Sequence, residues 1–333
     1  MKIRTFRNRA GGTLVMVVVC LTALLAFAAL SVDLGNVYTH RKYLQEGADA
    51  AAMAAVQDWA TTKDNTQTID TGTTCAKLNG MKTNEIVSII PGVWASSNKT
   101  FTAGSTTFAS NSVPAVRVIA TRAVATPFWQ AFTFGSRRAM NPRVQSIAIA
   151  GQASAASGIL PWAVCNLSTT PNRCDVITVK NGSDCSSPGN FSALNLNSSG
   201  GHGGGSSTYS DNIQFGYNGT VHIGDQFYPE TGNMVGPTDK ALKARINGAP
   251  PYNCTSTSPI PNNGRLAILP ITTALPNGTS AQVTILGFYV VALSNPSGGG
   301  QVDATFLEAF GGTEVDPTVA PIVGMLNGIA LVQ

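Results

Sequence analysis

The chain has 333 residues, of which only 11% are Asp, Glu, Lys or Arg, against about 25% in an ordinary soluble domain. Ser and Thr total 61, Gly 34 and Asn 24, a balance that suits a β-rich, loop-rich extracytoplasmic protein and excludes a long coiled coil or a highly charged disordered chain. The net charge of +4 is not a nucleic-acid signature: Lys2, Arg4, Arg7 and Arg9 precede the first acid, Asp33, and without these four the 21 basic residues fall to 17, matching the 17 acids, so the body has no broad footprint for phosphates.

The basic tip (1–10) leads into a run without charge from Ala10 to Val32. Residues 13–32 form a 20-residue apolar stretch, enough for a helix to cross the ~30 Å hydrocarbon layer. The positive-inside rule then predicts a cytoplasmic N-terminus and an exported body. The expected segment is a transmembrane helix over 11–32. A cleaved signal peptide shares the basic and apolar regions, and Ala26-Phe27-Ala28 resembles a cleavage site. The apolar run, however, passes directly into a helical pattern, as an anchor does. Prepilin processing needs a Glu five residues into the mature chain, but counting from Gly11 or Gly12 finds only Val15, Met16 or Val17.

Residues 31–60 contain no Pro and are rich in Ala, the best helix former. Leu34, Val37, Tyr38, Arg41 and Leu44 recur at helical spacing, and Ala48, Ala51, Ala52, Ala55 and Val56 continue a small-residue face. One helix is expected from about 12 to about 60, with Gly35 and Gly47 as weak points. The Ala face allows close approach of another helix or a sheet. Packing on the chain's own domain and an intermolecular role, self-association included, are both compatible with it.

The pattern Asp33, Gly35, Tyr38, Arg41, Leu44, Gln45, then Ala48-Asp49-Ala50-Ala51-Ala52 resembles the N-terminal region of TadG-like and TadE-like proteins of the Tad (tight adherence) machinery for Flp pili. The resemblance implies a pseudopilin-like, non-enzymatic protein of the bacterial inner membrane, with a periplasmic or extracellular body. Its implied partners are the membrane and other Tad/Flp pilus assembly proteins. Asp33, Gly35, Tyr38, Arg41, Leu44, Gln45, Ala48, Asp49, Ala51 and Ala52 are the candidate helix-contact residues.

The rest of the chain predicts an α+β protein whose body is β-rich. Residues 61–85, rich in Thr, Asn and Lys, read as a connector. Strands are expected at 86–90, at 114–124, where Val116, Val118 and Ala120 alternate with Arg117, Ile119 and Thr121, and at 144–153. Between them Phe128, Trp129, Phe132 and Phe134 form an apolar cluster. A first β-rich portion over 61–157 and a second, loop-rich domain over 158–333 are expected. In the second, 200–210 reads as a flexible loop; its Gly density lacks the Lys-Ser/Thr and the strand-loop-helix frame of a phosphate loop. A short helix is expected at 237–246, and strands at 265–272, 280–294 and 302–310.

Cys20 lies in the apolar run. An oxidising compartment makes disulfides the default for exported cysteines. Cys165, Cys174, Cys185 and Cys254 allow three connectivities. A hairpin over 175–184 with an Asn181-Gly182 turn favours Cys174–Cys185 and then Cys165–Cys254, leaving Cys75 over. His40, His202 and His222 form no metal or triad spacing, Asp225 and Glu230 read as turn residues, and no catalytic residue, metal site or cofactor is expected. The alternative function is an adhesin or carbohydrate-binding exoprotein on the same anchor, with Trp94, Tyr209, Tyr217 and Tyr228 stacking on sugars.

Overall fold

The computed structural model describes residues 10–105, 111–132, 139–165, 172–181, 185, 190–196, 205–254, 263–307, 309–310, 312, 314–321 and 325–332. Helix α1 (Ala10–Thr62) is unbroken over 53 residues, which at ~1.5 Å per residue is about 80 Å. Its first part stands clear of the body: Leu14 is 70% exposed and Phe27 69%, and it is long and apolar enough to cross a membrane. The second part is a core element. Leu44, Ala48, Ala51, Ala52, Ala55, Val56 and Trp59 are all wholly buried.

The expected connector holds a second helix, α2 (Asn65–Leu78). Lys63 takes a left-handed φ of 54° and turns the chain back, and the Asp64 carboxylate accepts hydrogen bonds from the Thr66 and Gln67 amides at 2.8 and 3.2 Å. Two exposed amides of the first turn are thereby satisfied. The Thr-rich sequence has modest helix propensity, but burial of Thr68, Gly72 and Ala76 along α1 overrides it. At Gly72 a Cβ would lie 3.0 Å from both Ala55 Cβ and Ile89 Cδ1, so glycine lets α2 sit close to α1.

The strands β1 (Ile86–Ala95), β2 (Thr100–Ala103) and β3 (Ser112–Thr121) follow, then a small ladder of β4 (Val124–Ala125) and β5 (Ala139–Met140) around helix α3 (Pro127–Phe132). β6 (Arg143–Ser157) pairs antiparallel with β3 from Thr121↔Arg143 to Ala115↔Ile149. The alternation in β3 is as expected. Val116, Val118 and Ala120 face the α1 core, while Arg117 lies on the other face with its guanidinium 4.8 Å from the Phe101 ring centroid.

The later elements are β7 (Val164–Cys165), β8 (Val176–Lys180), β9 (Asn190–Asn195), α4 (Gly205–Phe215), β10 (Thr220–His222), β11 (Gln226–Thr231), α5 (Val235–Ile246), β12 (Leu266–Thr272), β13 (Val283–Leu293), β14 (Val302–Leu307), β15 (Ala309–Phe310), β16 (Glu314–Asp316) and β17 (Leu326–Val332). The first sheet runs β15-β17-β6-β3-β1-β2, with β10 and β16 also on β6. The chain therefore ends in the sheet that α1 covers. The second sheet runs β7-β12-β13-β11-β9, and β14 joins β13 to β8. Helices α4 and α5 bury Ile213, Leu242 and Ile246 with Leu269, Tyr289 and Phe306. A further cluster joins the two sheets, with Ala153 and Ala156 of β6 against Phe288 and Val290 of β13.

Two segments of the later half fold differently from expectation. Residues 205–215 are helical because Tyr209, Asn212 and Ile213 find a buried face at helical spacing; residues 200–204 lie outside the described residues. The hairpin over 175–184 does not form among the described residues: β8 pairs with β14, Thr178↔Asp303, and Asn181 turns instead toward Gly299, whose carbonyl accepts from its Nδ2 at 2.8 Å.

Candidate functional site

The exit of α1 from its apolar part brings together several of the candidate helix residues. Asp33 is only 3% exposed, and its Oδ2 accepts a hydrogen bond from the Trp129 amide at 2.6 Å. Beside it the Asn36 side chain donates to the Ala125 carbonyl at 3.3 Å. Gly35 faces open space, and Tyr38 is 71% exposed. At Gly47 a Cβ would lie 2.3 Å from Met81 Sδ, so glycine leaves room for the Met81 side chain, which any larger residue would displace.

Further along, Gln45 donates to the Asp49 carboxylate at 2.7 Å. Tyr38, Arg41, Lys42, Gln45 and Asp49 line one side of a groove of about 470 Å³; Gln145, Leu331 and Val332 line the other. Lys42 and Glu46 form an exposed pair at 3.8 Å, of little energetic weight. Arg122 reaches Glu85 at 3.2 Å with its guanidinium 5.5 Å from the Tyr43 ring centroid. Leu44, Ala48, Ala51 and Ala52 point away from the groove into the chain's own core. Of the two readings of the Ala face, packing within the chain is the one the fold realises.

The cysteine pairing differs from the expected one. Cys165 pairs with Cys185 and Cys174 with Cys254, with Cα separations of 5.1 and 5.6 Å. The reason is the missing hairpin. With β8 on β14, Cys174 stands at the start of β8 in a left-handed turn, φ 81°, near the segment that follows α5. Cys75 is unpaired, with its thiol on the Ala50 carbonyl at 3.4 Å.

The residues considered for other chemistry are scattered. Trp94 is 6% and Tyr209 4% exposed, and Tyr217 and Tyr228 are half-buried, so these four do not make an exposed stacking platform. Tyr209 accepts from Trp162 Nε1 at 2.8 Å, and burial pushes its phenol pKa up. Asp225 Oδ2 accepts from the His222 amide at 2.8 Å, a turn role. His222 lies 3.7 Å from both Asp225 and Glu314, while His40 is half-buried on α1 and His202 lies outside the described residues. Among the described residues no three His, Cys, Asp or Glu side chains cluster to hold a metal.

One buried charge was not legible in the sequence. The Lys180 side chain is wholly buried, and its ammonium donates to the Asn233 carbonyl at 2.5 Å, to Asn233 Oδ1 at 3.2 Å and to the Gly300 carbonyl at 3.4 Å. Burial lowers its pKa from 10.5 to about 8, against an opposing pull from Asp239. It ties β8 to the turn before α5 and to the glycine turn before β14.

An N-terminal helix that is apolar and bare for 20 residues and then packs into the core of a disulfide-bonded α+β body has the length and composition of a membrane anchor. Residues 11–58 match the Tad family model, described as Flp pilus-assembly TadE/G-like, and residues 46–150 match the Tad_C model, described as Tad-like Flp pilus-assembly. The two matches overlap in α1 and together run from the apolar helix to the middle of β6. Residues 11–150 are thus similar to Flp pilus-assembly proteins of the Tad type. Among curated proteins and solved structures, nothing matches.

Proposed function

We propose that this chain is an inner-membrane component that assists assembly or anchoring of a Flp/Tad-type pilus, with its N-terminus in the cytoplasm and its body outside, and that it acts by protein–protein contact without bond chemistry. The observation that carries the reading is the continuity of α1. One helix carries both the apolar segment and the buried Ala face, so the body is coupled to the membrane segment without a hinge, and both family matches meet on it. A helix packed over several turns transmits position rather than flexing independently. The groove beside Arg41 and the side of β17 that carries no strand beyond Asn327 among the described residues are surfaces where partner segments of the apparatus would dock, since sheet edges accept added strands.

Deletion of the gene in its host, followed by counting of pili and by crosslinking from Lys42 in intact cells, tests the reading. The expected result is loss of piliation, with pilus-assembly chains captured from wild-type cells. Normal piliation in the deletion strain would overturn it.

A further inference from the structure

We propose that α3, in the excursion between β3 and β6, is a membrane foot that rests in the anionic headgroup layer beside the anchor. The inference rests on α1 spanning the bilayer and goes beyond the pilus role. Its first support is position. Asp33 is the first charged residue after the apolar run, one residue past Val32. The Asp33 carboxylate holds the Trp129 amide at 2.6 Å, and Asn36 holds the Ala125 carbonyl. Residues 125–129 are therefore fixed at the first helical turn beyond the hydrocarbon. That turn rises about 5 Å, and the headgroup layer on each side is roughly 5–7 Å deep.

Topology gives the same placement. β3 runs toward Thr121 and β6 leaves from Arg143, the last pair of their ladder, so β4, α3 and β5 form the tip of the sheet on the anchor side. The second body joins at the opposite end of β6, after Ser157.

Chemistry supplies the partner. Phe128 is 44% exposed, Pro127 is exposed and Trp129 is half-buried. Aromatic side chains at this depth are favoured in the membrane interface, where an apolar ring meets a wet layer. Between Glu85 and Asp175 the sequence holds seven basic residues, Lys99, Arg117, Arg122, Arg137, Arg138, Arg143 and Arg173, and no acid. Four of these fall within 122–143, of which Arg137 and Arg138 lie outside the described residues. Arg122 is held by Glu85, whereas Arg143 is exposed at the tip. An aromatic tip with the exposed Arg143, in a stretch of sequence that carries cations and no acid, suits anionic phospholipid headgroups, a nearby cation adding attraction that salt screens.

The test is reconstitution of the full chain into phosphatidylcholine vesicles containing phosphatidylglycerol, with bromine placed either near the carbonyl end or near the tail end of the acyl chains. Trp59, Trp94 and Trp162 are 0%, 6% and 0% exposed and serve as an internal background. The expected result is stronger quenching by the shallow bromine than by the deep one, lost in Trp129→Phe and reduced in Phe128→Ser and at high salt. A chain that floats with the vesicles but shows no Trp129-dependent quenching overturns the foot alone. A chain that does not float overturns the anchor reading and the foot with it. Equal quenching in vesicles of phosphatidylcholine alone overturns the anionic part of the proposal.

Discussion

Removing the Cys174–Cys254 bridge by Cys174→Ala with Cys254→Ala isolates one energetic contribution well, because both residues lie outside the buried core and little packing is lost with them. The bridge closes a loop with a sequence separation of 80 residues. The loop-closure entropy withheld from the denatured chain by a loop of that length is worth about 4.5 kcal/mol at 25 °C. Residual structure in the denatured state reduces the observed cost, so the expected loss lies between about 2 and 4.5 kcal/mol. Against a whole-domain stability of about 5–15 kcal/mol, a loss of that size shifts the urea midpoint of the detergent-solubilised chain clearly. Tryptophan emission reports the transition, and the Cys165–Cys185 bridge stays in place as a control. Peptide mapping under non-reducing conditions should recover 174 with 254 and 165 with 185. A loss below about 1 kcal/mol would contradict the loop argument, and a map joining 174 to 185 would contradict the placement of β8 on β14.

Ala52→Leu should destabilise the body by about 1–3 kcal/mol through overpacking of a closed core, while Gln57→Leu on the exposed side of α1 should stay within about 0.5 kcal/mol; urea midpoints of both compare them, and an unchanged midpoint with lost piliation would make the Ala face intermolecular. Trp59→Phe should cost about 1–3 kcal/mol, since the indole donates to the buried Gly92 carbonyl at 2.9 Å and phenylalanine removes that hydrogen bond and part of the packed ring; the same denaturation assay reads it. For Lys180 the folded pKa of about 8 lies below the ordinary 10.5. The unfolded chain then binds more protons between those values, so the urea midpoint should rise as pH climbs from 8 toward 10, by at most roughly 3 kcal/mol, and Lys180→Met should flatten that slope. Burial raises the Tyr209 pKa, so this residue contributes the opposite trend only above its ordinary value of about 10.

Local chemistry determined a large part of this protein. The apolar run, the Ala-rich continuation and the absence of Pro dictate α1 almost residue by residue, because helix periodicity and bilayer thickness act on adjacent positions. The alternation in β3 and the β-branched density of β13 likewise mark strands whatever they pair with. The Tad pattern from Asp33 to Ala52 is also local, and the family matches fall on it. Long-range partners were not written in any such window. Helix α2 forms from a Thr-rich stretch only because α1 offers it a surface to bury against. Residues 174–185 looked like a hairpin while their neighbours alone were considered, yet β14, more than 120 residues away, captures β8 and so changes both disulfides. Whether the Ala face served the chain or a partner was undecidable from its composition, since small residues permit close approach to either. The folded sheet and α2 together decide it by covering Ala48, Ala51, Ala52 and Ala55 completely, and apolar surface already withdrawn from water by the chain's own elements has none left to offer a partner.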